Sequence, residues 1–129
     1  MKFLLRVVIV AAAFLPSLAA ARPMDRRVIS GQTTIVGRYY TWNRDCSSAF
    51  GTVKVVAKPQ HGTIANRLVD DRIGISRRTR VADQCLGKPI KALVVTYTSA
   101  RGYHGIDTFT LDATFRIYRD VDTFTIRVE

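Results

Sequence analysis

Apolar and polar residues alternate strictly near the C-terminal end of the chain. Every second position from 109 to 117 is apolar, and polar residues fill most of the positions between; the apolar members are Phe109, Leu111, Ala113, Phe115 and Ile117. A period of two places alternate side chains on one face of a β-strand. Residues 119–122 are predicted to form a turn, after which Phe124 and Ile126 resume the alternation. We therefore predict an antiparallel hairpin at the C-terminus.

Short segments rich in β-branched and aromatic residues also occur upstream. The predicted strands span residues 33–42, 52–58, 63–68 and 91–98, with shorter ones at 73–76 and 79–82. Turn residues separate these segments, and no window has a helical period. About seven short strands at such intervals indicate one all-β domain, either a sandwich or a small barrel.

The first 21 residues have the pattern of a secretory signal peptide. Lys2 and Arg6 precede an apolar run at residues 7–15, and small residues follow it. The run is too short for a spanning helix, which needs about 20 apolar residues, so an uncleaved anchor is the weaker alternative. Cleavage after Ala21 fits the A-x-A rule, and cleavage after Ala19 is the other option. We predict a signal peptide at 1–21, a domain at 22–129 without a transmembrane segment, and a periplasmic or secreted location.

Export changes the meaning of the two cysteines. Cys46 and Cys85 are the only cysteines of the chain. In an oxidising compartment an isolated pair most simply forms a disulfide, and no C-x-x-C motif supports a redox role instead. The loop that such a bond closes is long, and the chain-entropy estimate of its stabilisation is about 4 kcal/mol.

Three motifs in the second half of the chain resemble a known family. They are KPQHGTI at residues 58–64, VTYT at 95–98 and GYHGIDTF at 102–109. Together they resemble bacterial immunoglobulin-like, cadherin-like repeat domains, and also small exported proteins with the same motif and a cysteine pair. The chain departs from the family pattern at Ser99, where proline is usual, and in a long basic insertion at 70–88. The resemblance implies an immunoglobulin-like antiparallel β-sandwich of about seven strands and implies no activity.

The third motif has a structural interpretation. Gly102 and Gly105 permit positive φ, and Tyr103 between them is expected to pack at a corner between strands. Asp107 can accept hydrogen bonds from nearby backbone N–H groups and so fix the turn, and Phe109 begins the inward face.

No residue set meets the requirements of a catalytic or metal site. No G-x-S-x-G motif occurs, and the only glutamate is Glu129. His61 and His104 lie in predicted turns without further ligands at suitable spacing, and Asp120 and Asp122 are interpreted as part of a solvated turn. We therefore expect neither an enzyme nor a bound metal or cofactor.

Charge is the main remaining lead to function. Twenty Lys and Arg residues against ten Asp and Glu give a net charge of +10, which favours polyanionic partners. The candidate anion-binding residues are Arg72, Arg77, Arg78, Arg80 and Lys88. Arginine binds phosphate and carboxylate through paired hydrogen bonds, although such a cluster also suits a solvated loop. Nucleic acid is not expected as a partner, because the chain is predicted to be exported and has no nucleic-acid-reading motif.

An aromatic group precedes the first cysteine. Alternation places Tyr39 on one strand face and Tyr40 and Trp42 on the other. Beside Arg38 and Arg44 this group could bind a glycan or a protein, or it could cover the disulfide.

These observations predict a binding or structural module of the cell envelope. Its partner would be an envelope protein or an anionic envelope polymer. The alternatives are an inhibitor of an extracytoplasmic hydrolase and a weak binder of lipid or glycan polyanions through the basic loop.

Overall fold

The computed structural model of the protein describes residues 21–76 and 83–129. All regular secondary structure in those ranges is β-strand. The strands are β1 (Arg22–Val28), β2 (Thr34–Tyr39), β3 (Thr41–Trp42), β4 (Ser48–Ala49), β5 (Thr52–Ala57), β6 (Gly62–Arg72), β7 (Pro89–Ser99), β8 (Gly105–Thr114) and β9 (Arg119–Val128). None of the described residues belongs to a helix that could cross a membrane.

Two sheets pack face to face. The larger sheet has the order β1-β9-β8-β5 and the smaller has the order β2-β7-β6, while β3 and β4 form a separate ribbon. One core joins them, with Tyr39 and Tyr97 from the smaller sheet against Phe109, Phe124 and neighbouring apolar residues of the larger. This arrangement buries the apolar faces of strands with a period of two. The prediction of an all-β sandwich is confirmed.

The strand count and one pairing differ from expectation. Nine strands occur in the described ranges instead of about seven, and β1 pairs parallel with β9, so the larger sheet is mixed. The sequence of β1, RPMDRRV, contains four charged residues and only a weak alternation. It forms a strand because β9 supplies a complete row of partners, from Arg22 opposite Asp122 to Val28 opposite Val128.

The C-terminal hairpin is present, but its turn lies earlier than predicted. Strands β8 and β9 pair antiparallel, and residues 119–122 belong to β9. The connection is closed by a hydrogen bond from the Phe115 N–H to the Tyr118 carbonyl, 2.8 Å long, and the two rings stack at 4.7 Å. Ile117, expected on the inward face, is therefore at the turn and 57% exposed.

Several other strand boundaries are corrected. Strands β6 and β7 each have 11 residues and pair along their whole length, beyond the predicted 63–68 and 91–98. No strand runs through 73–76, where only Ser76 forms an isolated bridge and Ile73 is buried. The predicted strand at 79–82 and residues 1–20 of the predicted signal peptide lie outside the described residues.

The predicted disulfide is confirmed. Cys46 and Cys85 are bonded, with their Cα atoms 5.2 Å apart. Buried Ile73 and Ile90 surround this bond, and Tyr40 and Trp42 pack against them. The disulfide is thus the centre of a second, smaller core at one end of the sandwich.

Candidate functional site

A cleft of about 450 Å³ opens between β1 and β2, the neighbouring edge strands of the two sheets. Its charged lining residues are Arg22, Arg26, Arg38, Asp120 and Asp122. Aromatic side chains close one end. A concave site with convergent charged and aromatic groups is the usual form of a ligand pocket.

Asp122 forms the floor of the cleft and is fully buried. The parallel register places Arg22 directly opposite it. The guanidinium donates two hydrogen bonds to the carboxylate, from Nε to Oδ1 at 2.6 Å and from Nη2 to Oδ2 at 2.9 Å. The Tyr39 hydroxyl donates a third, 2.7 Å long, to Oδ2. Bidentate pairing of this kind is among the stronger charge-assisted contacts in proteins.

The two side chains that donate to Asp122, Arg22 and Tyr39, have shifted pKa values. The hydrogen bond to Asp122 raises the pKa of the Arg22 guanidinium, although burial opposes this shift. Burial, followed by the hydrogen bond to Asp122, raises the pKa of Tyr39 far above its ordinary value. Tyr39 therefore remains a donor and Arg22 remains charged throughout the physiological range.

Arg26 differs from Arg22 in its hydrogen-bond partners, which are carbonyl groups instead of carboxylates. Its Nε donates to the Val36 carbonyl and its Nη1 to the Asp25 carbonyl, both at 2.8 Å. Its guanidinium also lies 5.9 Å from the centre of the Phe124 ring. Within residues 21–76 and 83–129, no carboxylate lies at ion-pair distance from it. Arg26 is consequently a half-buried cation that is held in place by neutral groups.

The aromatic end of the cleft belongs also to the disulfide core. The rings of Tyr40 and Trp42 lie 6.1 Å apart at an angle of 34°. The Tyr118 hydroxyl donates to the Tyr40 carbonyl at 3.3 Å, which ties the connection between β8 and β9 to this end. Trp42 lines both the cleft and a shallow depression that also includes Arg44. These side chains therefore cover the disulfide and also present an aromatic ridge to solvent.

The predicted basic group is only partly within the described residues. Arg72 donates from Nη1 to the Gly87 carbonyl at 3.0 Å, and the Ile73 N–H donates to the Lys88 carbonyl. Arg72 and Lys88 thus lie near each other at one end of the β6–β7 pair, and neither lines the cleft. Arg77, Arg78 and Arg80 lie outside the described residues.

The turn motif at 102–109 forms a closed corner. Asp107 is 3% exposed and accepts the Gln60 and His61 N–H groups at 3.0 Å and the Tyr97 hydroxyl at 2.7 Å. Burial acts to raise the pKa of Asp107, but the hydrogen bonds from Tyr97 and the backbone lower it below the usual range. The carboxylate thereby joins β8 to the loop before β6.

The remaining motif residues complete this corner. Tyr103 stacks on His61 at 4.1 Å and donates its hydroxyl hydrogen to the Ile106 carbonyl. Gly102 and Gly105 have φ values of 82° and 135°, which a residue with a Cβ resists. Phe109 is buried and stacks on Phe124 at 4.7 Å. These contacts join the corner to the neighbouring turn and to the core.

The interpretation of Asp120 and Asp122 as a solvated turn is wrong. Both belong to β9, and both contact Arg22 in the cleft. One signal in the sequence points to this: Asp122 has the same parity as Phe124, Ile126 and Val128, so the alternation carries it to the inward face. An aspartate on a buried face requires a partner, and β1 supplies that partner.

The lining of the cleft combines charged and aromatic side chains. Among the described residues no group of three or more His, Cys, Asp or Glu side chains could hold a metal ion. Asp120 and Asp122 are both within ion-pair distance of Arg22, so neither is a free base. The groups of the cleft without a carboxylate partner among the described residues include the Arg26 guanidinium, beside the aromatic surface of Tyr40 and Trp42.

Comparisons with protein-family models, curated proteins and solved structures found no match for this chain.

Proposed function

We propose that the chain is an exported binding module of the cell envelope and that it holds its ligand in the cleft between β1 and β2. The observation that carries this proposal is Arg26, a half-buried guanidinium with no carboxylate partner in the described part of the chain. Removing a charge from water is costly unless a counter-charge compensates for it. An anionic group on the partner would supply that compensation.

The sequence supports an extracytoplasmic location for this activity. Residues 1–21 have the charge, apolar run and small-residue site of a signal peptide. The disulfide between Cys46 and Cys85 is compatible with an oxidising compartment, where such bonds persist. The partner would then be an envelope protein or an anionic envelope polymer.

A purely structural module explains the cleft less well. The same cleft contains Arg22, a partly buried charge that two carboxylates of the fold, Asp120 and Asp122, compensate. Among the described residues Arg26 has no comparable partner of opposite charge, and two carbonyl groups and the Phe124 ring hold it instead. Ligand binding accounts for that difference.

Capture from an envelope extract tests the proposal. The processed, oxidised protein would be immobilised beside two variants, Arg26→Gln and Arg67→Gln. Arg67 is exposed on β6, the opposite edge of the smaller sheet, and its substitution removes the same charge. We expect a component that survives moderate salt on the wild type and on Arg67→Gln, and that is lost on Arg26→Gln. Identical retention by all three proteins would contradict the cleft as the binding site.

A further inference from the structure

We infer that the ligand of the cleft is an anionic saccharide, with a sugar ring against Trp42 and a carboxylate or phosphate group on Arg26. This inference rests on the proposed function, because it names the ligand class for the same cleft. Three properties of the cleft lead to it: its uncompensated charge, its occupied strand edges and its aromatic end.

The uncompensated charge of the cleft is positive. Asp120 and Asp122 are both paired with Arg22, and Arg38 forms an ion pair with Asp71. Arg26 is the lining arginine that pairs with neither aspartate of the cleft nor with any other described carboxylate. Its Nε and Nη1 each donate to a carbonyl, while no described protein group accepts from Nη2. A guanidinium held in this way is suited to a carboxylate or phosphate oxygen.

The strand edges that border the cleft are poorly suited to adding a peptide strand. Arg26 occupies the Val36 carbonyl of β2 and the Asp25 carbonyl of β1. The register of β2 is interrupted between Ile35 and Gly37, and Pro23 removes an N–H group from β1. Occupied carbonyls, an irregular register and proline all oppose β-strand addition. The cleft therefore favours a ligand that binds through rings and charged groups over one that binds through a main chain.

The aromatic end suits a sugar ring. Trp42 is only partly buried and lines both the cleft and the shallow depression beside Arg44. The face of an indole ring carries partial negative charge and attracts the C–H groups of a ring laid against it. The volume of about 450 Å³ lies within the range typical of small-ligand sites, roughly 300–1,000 Å³.

Trp42 is the only tryptophan of the chain, so intrinsic fluorescence reports on this end of the cleft. The processed protein would be titrated with a trimer of galacturonic acid, a hexose phosphate, the neutral galactose trimer, inorganic phosphate and an acidic peptide. We expect saturable changes in Trp42 emission with the first two probes, weakened by salt. The galacturonate and hexose phosphate arms separate a carboxylate source from a phosphate source.

Substitutions then assign the contact. We expect Arg26→Gln to weaken binding of the anionic saccharide about tenfold or more, because a charge-assisted contact is lost. Arg67→Gln should change it less than twofold. If Arg26→Gln does not fold, Arg26→Lys replaces it, with a smaller loss expected because the planar fork is absent. Equal losses in Arg67→Gln would overturn the assignment of Arg26.

The remaining outcomes separate this inference from the proposed function. Equal affinity for neutral and anionic trimers would overturn the anionic ligand, and binding of the acidic peptide alone would overturn the saccharide. Either result would leave the proposed binding function uncontradicted. If envelope fractions and all probes leave Trp42 emission unchanged, both the proposed function and the ligand class are contradicted.

Discussion

Two buried aspartates join the sheets of this protein in the same way, yet their surroundings differ. Asp107 on β8 accepts a hydrogen bond from Tyr97 on β7, and Asp122 on β9 accepts one from Tyr39 on β2, both 2.7 Å long. In each pair the larger sheet supplies the carboxylate and the smaller sheet supplies the hydroxyl.

The difference lies in the groups that donate the remaining hydrogen bonds to each carboxylate. Asp107 accepts its remaining hydrogen bonds from backbone N–H groups of a turn, which cannot move away without unfolding the corner. Asp122 accepts its remaining hydrogen bonds from the side chain of Arg22 on an edge strand, beside an open cleft. Because its other partners are backbone groups, the Asp107–Tyr97 pair stabilises the corner. The Asp122–Tyr39 pair has a side-chain partner on an edge strand and forms the floor of the cleft.

Removal of Asp107 should have the largest effect. Asp107→Ala leaves the Tyr97 hydroxyl and the Gln60 and His61 N–H groups without their acceptor. Each unsatisfied buried donor costs about 1–3 kcal/mol, so we expect the free energy of unfolding to fall by about 4 kcal/mol in urea titrations. The control Asp70→Ala removes an exposed aspartate paired with Lys91 and should cost less than about 1 kcal/mol. Similar losses in the free energy of unfolding for both variants would contradict this stabilising role of Asp107.

Removal of Asp122 should cost less and should change binding. In Asp122→Ala the Tyr39 hydroxyl loses its acceptor, but Arg22 is 32% exposed and keeps Asp120 at 3.0 Å. We expect a loss of about 2 kcal/mol by urea titration. Because Arg22 loses its main counter-charge, anionic saccharide should bind several times more tightly.

A surface substitution controls for the change in net charge. Asp112→Ala removes the same charge from β8, where Asp112 pairs with Arg119 outside the cleft. Tighter binding in both variants would show a general charge effect and would remove the distinction between the two aspartates.

The smallest effect is expected in the response to acid. The pKa of Asp107 is lowered in the folded protein, so its stabilising contribution is complete above the ordinary aspartate pKa of about 3.9. That contribution is lost as the pH falls through the lower pKa of the folded state. Tyr97→Phe removes a hydrogen bond that lowers this pKa, so the loss of stability below about pH 4 should be shallower by about 1 kcal/mol. Unfolding free energies measured from pH 6 downward would test this.

A neighbouring hydroxyl gives the control. Tyr103→Phe removes a donor to the Ile106 carbonyl from the same corner without touching Asp107. Its acid response should match that of the wild type, and a shallower response in this variant would assign the effect to the corner in general.

The sequence predicts the parts of this fold that depend on local periodicity. Alternation around Phe109 and Phe124 identifies the core of β8 and β9, and an isolated cysteine pair in a chain predicted to be exported identifies the disulfide. Strand β1 was not predicted, because its charged sequence becomes a strand only through pairing with β9, about one hundred residues away. Non-local pairing of this kind leaves no periodic signal along the chain.

Fewer residues of the candidate site can be predicted from the sequence, for the same reason. Tyr40 and Trp42 were recognised as an aromatic group, since they lie on one strand face near a cysteine. Arg26 and Asp122 were not predicted as site residues. The role of Arg26 depends on carbonyls of two different strands. The prediction of a turn at 119–122 overlooks that Asp122 has the same parity as the core residues of β9.

The parallel pairing of β1 with β9 also determines how the domain responds to a pulling force. The first and last strands lie side by side, with Arg22 at one end of the pair and Val128 at the other. Tension between the two ends of the domain therefore acts along the strands and loads their whole ladder of hydrogen bonds at once, instead of opening it one bond at a time. A domain connected in this way resists stretching through its rate of unfolding, because forced unfolding is governed by that rate.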